Sequence, residues 1–477
     1  MRNKAIAKLA GVLRGELILP RDPRYEEARQ IYNRRIDRRP AMIARCAGED
    51  DVAWCVRLAR EYEIPLSVRG GGHSPAGHSV VEGGLVIDLS PMKGVRIDAG
   101  SRVATVEAGA LWRDLDRATG RHGLVAAGGI QSQVGVSGLV LVGGLGFLSR
   151  LHGLAADNLI RARIVDAQGR LRTVSDDEYP ELIWALRGAG AGNFGVATSL
   201  ELRLHRIPPY LRTRIALYPL TAAEKLLPAI LSYMNSDAPR ELFTFGSLRH
   251  HQGKPVVRVM SLYLGREEEA DRALLPLLEG AAPLAGENLL QSYGEFKERL
   301  SATVPEKKKA LWKSGMGDAP VDAATVAALA DSCADAPGDL CRINFEFVNG
   351  AIHDRPPDAT AFAHRRQLFC VNAVALWDCG LGEETDQLNE RWAREAHGRI
   401  FPQLSGRVYA GYSDPELTDF GRAYWGENYP RLCGIKREWD PDGVFGGEQA
   451  IGKPAGEARC SAPQAPSESA SPPRPSS

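Results

Sequence analysis

Val68-Arg69-Gly70-Gly71-Gly72-His73-Ser74 is the stretch on which the reading of this chain turns. Leu66, Ser67 and Val68 lead into it and read as a short strand. Three glycines then strip the backbone of side chains, so it can approach a ligand closely and reach dihedrals closed to other residues. Consecutive N–H groups in such a turn form an anion-binding concavity suited to a pyrophosphate. A histidine directly after the concavity can reach whatever the phosphates belong to. Taken alone, the stretch also reads as an ordinary glycine turn with a surface histidine, and the rest of the chain has to decide.

Upstream, Met42 to Cys46 reads as a strand. Asp50 is a candidate cap for a helix whose apolar positions Val52, Cys55, Val56, Ala59 and Tyr62 recur at helical spacing. Pro65 precedes the strand that enters the turn. This strand–helix–strand unit delivers its last end to the turn, where α/β proteins usually bind ligands. Downstream, Leu85–Leu89 and Val103–Ala108 are strand candidates, and a helix is predicted from about Leu111 to Thr119. Asn158 to Val174 reads as a hairpin turning at Gln168-Gly169. Leu200, Leu202 and Leu204 alternate with polar residues, as in a half-buried strand.

Near Pro208-Pro209 the pattern changes and glycine clusters thin out. Strand candidates (Val256–Leu264, Ile343–Val348, Phe369–Trp377) alternate with longer helical stretches (Glu267–Leu278, Ala323–Asp331, Glu384–Ile400). Such a segment predicts an antiparallel sheet with helices on one face. Aromatic and glycine motifs resume over Tyr409–Ile451, so the chain is expected to return to its first domain. The expected division is 1–207, 208–408 and 409–455. The tail, 456–477, is Pro, Ser and Ala with almost no large apolar residue and is expected to be disordered.

The 477 residues exceed one ordinary core, and 44% apolar with 25% charged residues is normal globular usage. Formal net charge is zero, so no basic excess points to nucleic acid or an anionic membrane. No apolar run approaches a membrane span. The start, MRNKAIAKLAGVL, has its short apolar part broken by a lysine and does not read as a signal peptide. The eight cysteines are scattered without paired metal spacing and read as buried thiols in a reducing compartment. The expectation is a cytoplasmic protein without a metal. His364 and His250-His251 read as surface or pocket polar residues.

Two further glycine clusters matter. Gly190-Ala191-Gly192-Asn193-Phe194-Gly195 matches G-x-G-x-x-G by letter, but a dinucleotide fold needs a helix after it. Here the preceding Glu181–Leu186 looks helical and a β-alternating segment follows. A third cluster runs Val134-Gly135-Val136-Ser137-Gly138, then Gly143-Gly144-Leu145-Gly146. Each alone is a packing turn as readily as a contact. Three clusters plus the histidine turn favour one long cofactor.

Four stretches in order, VRGGGHSPAGHS (68–79), VGVSGLVLVGGLGFLSRLHGLAADNL (134–159), WALRGAGAGNFGVATSLEL (184–202) and YWGENYPRLCGIKREWDPDGVF (424–445), resemble the motif series of berberine-bridge-enzyme-like flavoproteins of the vanillyl-alcohol-oxidase superfamily. The resemblance runs from about Leu13 to Ile451. It implies an α+β fold, with a two-part FAD-binding domain split by an antiparallel-sheet substrate domain. It implies FAD, with its pyrophosphate on the turn and a covalent bond to the histidine that closes it, here His73. Many relatives add a second bond, to a cysteine four residues before the glycine of V-G-x-x-G. Gln131 stands there, so the chain resembles the singly linked members.

By the same resemblance the cofactor contacts carry over to Arg69, Gly70, Gly71, Gly72, Ser74, Gly77, His78, Gly135, Gly138, Gly143, Gly144, Asp157, Asn158, Asn193, Gly195, Val196 and Asn428. Val134 matches a position that gates dioxygen in relatives; as a residue it also reads as plain core. Tyr412 is the first candidate for the catalytic base and Tyr409 the second, from a Y-x-N-Y motif whose asparagine is Gly411 here. A tyrosine needs a neighbouring cation or donor to act as a base at neutral pH. Packing of both tyrosines in a core is the other reading.

The implied function is an oxidase that takes a hydride from a C–H beside oxygen or nitrogen of a small molecule and reduces dioxygen to hydrogen peroxide. A dehydrogenase with another acceptor and a flavin-carrying binding protein are the alternatives. Phe345, Phe347 and Trp377 are candidates for shaping the substrate pocket. No motif specifies an oligomeric state.

Overall fold

The computed structural model describes residues 2–277, 281–303, 305 and 307–453, so the tail expected to be disordered lies outside the described residues. Strands β1 (Glu16–Ile18), β2 (Met42–Arg45), β3 (Leu66–Arg69) and β4 (Leu85–Asp88) form a sheet in the order β1-β2-β4-β3. β2, β4 and β3 run parallel. Ile43, Val86 and Ile87 on them are fully buried, the continuous apolar make-up that strands covered on both faces need. Helix α1 (Glu49–Glu61) joins β2 to β3 and brings the carboxyl end of β3 to the glycine turn. Its N-cap is Gly48, not Asp50. The neighbouring Asp51 is buried and accepts hydrogen bonds from the backbone N–H groups of Arg14, Gly15 and Ala47. Helical spacing gives no sign of these partners, because two of them come from an earlier loop.

A second sheet holds β5 (Val95–Asp98), β6 (Val103–Glu107), β7 (Leu124–Ala126), β8 (Leu159–Val165), β9 (Leu171–Ser175) and β10 (Val196–Arg206), ordered β5-β6-β10-β8-β9 with β7 also on β10. Helices α2 (Trp112–Gly120), α3 (Val136–Leu141) and α4 (Pro180–Ala189) supply Trp112, Val140 and Leu182 to the core that Leu200, Leu202 and Leu204 of β10 complete. The G-x-G-x-x-G letters therefore follow α4 and precede a strand, the reverse of a dinucleotide-binding turn.

Strands β11 (Leu211–Pro219), β12 (Leu242–His251), β13 (Lys254–Tyr263), β14 (Ala285–Gln291), β15 (Lys308–Gly317), β16 (Arg342–Phe347) and β17 (Phe369–Asp378) make a wholly antiparallel sheet, ordered β14-β11-β13-β12-β16-β17-β15. Most of its helices lie on one face, while the helix Tyr293–Ala302 packs on the other against Phe243, Met260 and Leu262. Leu226, Ile230, Leu329 and Trp392 from the former pack on Val257, Ile343, Phe345, Ala373 and Trp377. Phe345, Phe347 and Trp377 thus belong to the core under the helices, not to a substrate pocket. Strand side chains alternate faces, and the pocket-facing set is the intervening one. The expected helix Glu267–Leu278 is α-helical only to Leu274 and tightens to a 3₁₀ turn at Leu275–Leu277, where Pro276 has no N–H to give.

After this sheet the chain returns. Val408, Phe420, Tyr424, Leu432 and Ile451 join the core of Trp112 and Leu200. Helix α5 (Tyr293–Ala302) makes a second link: the buried Lys297 donates to the carbonyls of Gly129 (2.5 Å) and Ile130 (3.0 Å). The fold is α+β, an antiparallel-sheet unit inserted between two segments that share one core. Cys46, Cys55, Cys333, Cys341 and Cys370 are buried free thiols, and Cys379 is exposed. Among the described residues no helix is long and apolar enough to cross a membrane, and no cluster of His, Cys, Asp and Glu is placed to hold a metal ion.

Candidate active site

A cavity of about 1920 Å³ runs between the glycine turns and the open face of the large sheet. A usual small-molecule pocket has roughly 300–1000 Å³, so this one has room for a large cofactor and a substrate together. Its floor is bare backbone. A Cβ on Gly71 would lie 2.4 Å from the backbone nitrogen of Gly135, and one on Gly135 would lie 2.5 Å from that of Gly71. The histidine turn and the V-G-x-x-G turn touch backbone to backbone. Gly71→Ala is therefore expected to force them apart, costing about 1–3 kcal/mol as overpacking does and lowering the flavin-to-protein ratio. Gly138→Ala is the contrast, because nothing lies within 4 Å of its added methyl. It should keep wild-type urea stability. Equal stability of the two variants would show that the contact is not tight.

Polar atoms with no partner gather around this floor. Arg69 Nε and Nη2, His73 Nε2, Gln131 Oε1 and Ser67 Oγ are buried and unbonded. Unsatisfied buried groups are rare and costly. Donors and acceptors in this mixture suit a ligand carrying phosphates and a heteroaromatic ring, so the residues present fit FAD.

His73 stacks on Tyr32 with ring centroids 3.8 Å apart, and Tyr32 in turn lies 6.1 Å from the indole of Trp312 on β15. Burial pushes the imidazole down to about 4, so the ring is neutral at neutral pH. Asn33 fixes the two halves of the site to each other. Its Nδ2 donates to the carbonyls of Pro75 (2.8 Å) and Ala310 (3.0 Å), and its Oδ1 accepts from the N–H of Ala310 (2.9 Å). Neither Tyr32 nor Asn33 sits in a periodic or glycine-marked segment, and no sequence signal singles them out.

Tyr409 and Tyr412 flank a 3₁₀ turn, Ala410–Tyr412, and both line the cavity. The Tyr409 hydroxyl accepts from the N–H of Gly144 at 2.9 Å. The Tyr412 hydroxyl donates to Oε1 of Glu346 at 2.6 Å. Glu346, on β16, is 5% exposed and also accepts from Asn372 Nδ2 at 3.3 Å. Burial raises its carboxyl to about 7. Both phenols are pushed above their ordinary value, first by burial and then, for Tyr412, by the Glu346 charge. The group poised for proton transfer near pH 7 is the carboxyl. The turn after Tyr412 is tied to β15 by Lys313, buried and paired with Asp414 (2.9 Å) and Glu416 (2.5 Å).

The cavity collects Gly70, Gly71, Gly72, His73, Ser74 and His78 from the first motif; Gln131, Val134, Gly135 and Gly138 from the second; and Asn193 from the third. The other cofactor contacts carried over from the motifs lie outside its lining. Arg69 is buried just beneath the turn, one nitrogen donating to the carbonyl of Ala28 at 2.5 Å. Gly77 packs against Ile36, and Gly143 against Phe362. Gly144 spends its N–H on Tyr409. Asp157 is held by a buried bidentate pair with Arg365 (2.7 and 2.8 Å). The Asn158 amide donates to the carbonyls of His152 and Leu154. Gly195 sits against the carbonyl of Val165, and Val196 belongs to the core. The Asn428 amide donates to the carbonyls of Pro357 and Thr360. His364 is neither surface nor pocket: it is 1% exposed, with Nε2 bonded to the carbonyl of Val408. His251 lines the cavity.

Comparison with known families places this geometry. Residues 40–175 match the family described as "FAD binding domain", and residues 408–452 match "Berberine and berberine like". The chain is similar to (R)-6-hydroxynicotine oxidase of Paenarthrobacter nicotinovorans, 31% identical over 91% of this chain and 95% of that protein. It is equally similar to the FAD-linked oxidoreductase YvdP of Bacillus subtilis, 31% identical over 92% and 98%. Among solved structures, 6-hydroxy-D-nicotine oxidase from Arthrobacter nicotinovorans superimposes with a TM-score of 0.82 at 29% identity, covering 91% of this chain and 96% of that one. With its two glycine turns in backbone contact beneath an antiparallel roof, this chain belongs to the berberine-bridge-enzyme-like family of FAD-linked oxidoreductases, on the vanillyl-alcohol-oxidase fold.

Proposed function

We propose that the protein is an oxidase of small organic molecules in which Glu346 is the base. The observation that carries this reading is the buried Glu346 carboxyl, raised to about 7 and bonded to Tyr412, in the cavity that also holds the glycine turns. FAD held on the glycine turns would supply the redox chemistry, as acceptor for a hydride from a substrate C–H beside oxygen or nitrogen and as the two-electron donor that reduces dioxygen to hydrogen peroxide. Glu346 accepts the proton of the substrate O–H or N–H on the same carbon. Tyr412, by donating to Oε1, stabilises the ionised carboxylate and fixes its direction. Asn372 gives a second, longer bond to the same oxygen.

In this reading residues 1–207 and 409–455 hold the cofactor and 208–408 roof the substrate. The FAD is attached covalently through His73 alone. The neutral, partnerless Nε2 of His73 supports that attachment, and Gln131 offers no thiolate for a second one. The other cofactor contacts are the cavity-lining glycines together with Ser74, His78 and Asn193, with Arg69 beneath the turn.

Val134 lines the cavity and is half-buried, with its backbone fixed by the N–H of Trp112 on its carbonyl (3.0 Å). Its short side chain leaves dioxygen a path to the cofactor. Val134→Leu is expected to slow flavin reoxidation while leaving anaerobic reduction nearly unchanged, which stopped-flow measurement of the two half-reactions checks. Equal slowing of both, or of neither, makes Val134 a packing residue. The function itself is tested by screening alcohols, hemiacetals and amines for peroxide release. A reduced flavin that survives in air far longer than seconds would make the protein a dehydrogenase. Failure of every substrate to bleach the flavin without air would make it a binding protein.

A further inference from the structure

The open face of the sheet carries three arginines that, among the described residues, form no ion pair. Arg258 (β13), Arg249 (β12) and Arg342 (β16) all line the cavity and are half-buried. Arg249 is directly opposite Arg342 in the β12–β16 register, and Arg258 pairs with Ser247 two residues away. Like charges set opposite each other destabilise a sheet. Among the described residues no carboxylate lies within ion-pair distance of any of the three. Arg342 donates one bond, to the carbonyl of Leu340 (3.1 Å). Arg249 donates to the carbonyls of His250 (3.3 Å) and Asp339 (3.5 Å). Arg258 reaches the sulfur of Met260 (3.9 Å). A guanidinium has five N–H donors, so most of this donor set faces the cavity unused. Each arginine is also pushed below its ordinary value by burial, and Arg258 and Arg342 further by Arg249, with the more distant charges of Asp339 on Arg249 and Glu287 on Arg258 opposing this in part.

Of the carboxylates that line the cavity, Glu287 and Glu346 stand on this sheet, and neither pairs with the group. Glu287 is committed to Arg299 at 2.6 Å. Glu346 is committed to Tyr412, and its carboxyl is raised by burial with no cation among the groups that lower it. Between Arg342 and Glu346, on the same face of β16, stands Asn344 with Oδ1 buried and unbonded. At about 3.3 Å per residue the backbones of Arg342 and Glu346 are about 13 Å apart. The face thus has a cationic end, a free acceptor midway and a base at the other end.

We propose that the substrate is an elongated organic oxyanion, a carboxylate or phosphate monoester. Arg249, Arg258 and Arg342 grip its anionic head, and the C–H to be oxidised lies beside Glu346. This deepens the reading above and rests on it for the position of the reacting end. Planar guanidinium forks match both head groups bidentately, and a bound anion would relieve the repulsion among the three cations.

The test is titration of the air-oxidised holoenzyme, followed by flavin absorbance, with 4-phenylbutyrate, its neutral amide 4-phenylbutanamide, and phenyl phosphate. At least one anion is expected to bind about tenfold or more tightly than the amide, as charge-assisted bonds to a guanidinium imply. The tighter anion identifies the head group, and added salt should weaken it. Arg342→Met and Arg249→Met should lose most of that preference at unchanged flavin content, and Arg342→Lys should keep part of it. Acid, amide and phosphate binding alike, or giving no response, overturns the proposal even if every arginine variant fails to fold. So does a preference that survives in both methionine variants. Anion binding without turnover of any substrate would strike the oxidase reading and leave the anion site standing. Peroxide from neutral substrates alone, with no anion preference, would do the reverse.

Discussion

Glu346→Gln is expected to slow anaerobic flavin reduction by about 10²- to 10⁴-fold, the usual worth of a positioned base, with little change in flavin content. The wild-type rate should rise with pH through about 7, where the Glu346 carboxyl ionises, and the variant should lose that limb. Tyr412→Phe separates the two candidates for the base. The Tyr412 hydrogen bond favours ionised Glu346, so removing it should move the limb to higher pH and lower the rate less. If Tyr412→Phe abolishes the limb while Glu346→Gln keeps it, the tyrosine is the base.

A second readout follows from linkage. The folded-state carboxyl is raised from 4.5 to about 7, so its contribution to stability is present below about 4.5 and is lost as pH rises through 7. The difference between 4.5 and about 7, at roughly 1.4 kcal/mol per pH unit, sets a ceiling of about 3–4 kcal/mol. Glu346→Gln should therefore unfold in more urea than the wild type at pH 8 and about equally at pH 4. Identical curves at both pH values would mean that burial does not strain this carboxylate.

His73→Ala is expected to convert every bound flavin from acid-precipitable to acid-soluble. In the wild type the yellow colour should stay with the pellet, and peptide mapping should place it on the fragment containing His73. Yellow supernatant from the wild type would sink the covalent link, and a flavin peptide carrying cysteine would sink the single link. The variant should still fold, because the turn is set by glycine backbone contacts and by Asn33, not by the imidazole. Its flavin should have a lower reduction potential. A fall of about 30 mV corresponds to roughly 1.4 kcal/mol for a two-electron couple.

What was legible in the sequence was what local chemistry dictates. The glycine turns, α1, the β8–β9 hairpin and the helix Glu383–Ile400 announce themselves through φ-permissive residues or through periods of 3.6 and 2. The roof was less legible. β15 begins with two lysines and contains Lys313, which is buried only because Asp414 and Glu416 come to it from about a hundred residues further on. Spacing does not reveal such a partner. The faces of β16 and β17 were equally hidden, since each alternates two sets of residues that are both buried. Phe345 looked like a pocket residue and is core, while Asn344, which no motif marks, lines the cavity. Motif positions such as Asp157 and Asn428 were legible as motif but not as contact, because their side chains brace the loops beside the cavity.

The alternation on the roof strands has a consequence for how such a protein can diverge. On β16, Ile343, Phe345 and Phe347 are anchored beneath the helices, while Arg342, Asn344 and Glu346 face the cavity. On β17 the anchored set is Val371, Ala373 and Ala375, and Asn372 and Val374 face the cavity. Heredity can rewrite the second set one residue at a time without disturbing the first. A single inserted residue in either strand would exchange the two sets at once. Drift of specificity in this lineage should therefore run through substitutions at every other roof position, with strand lengths held constant and insertions confined to the connecting loops.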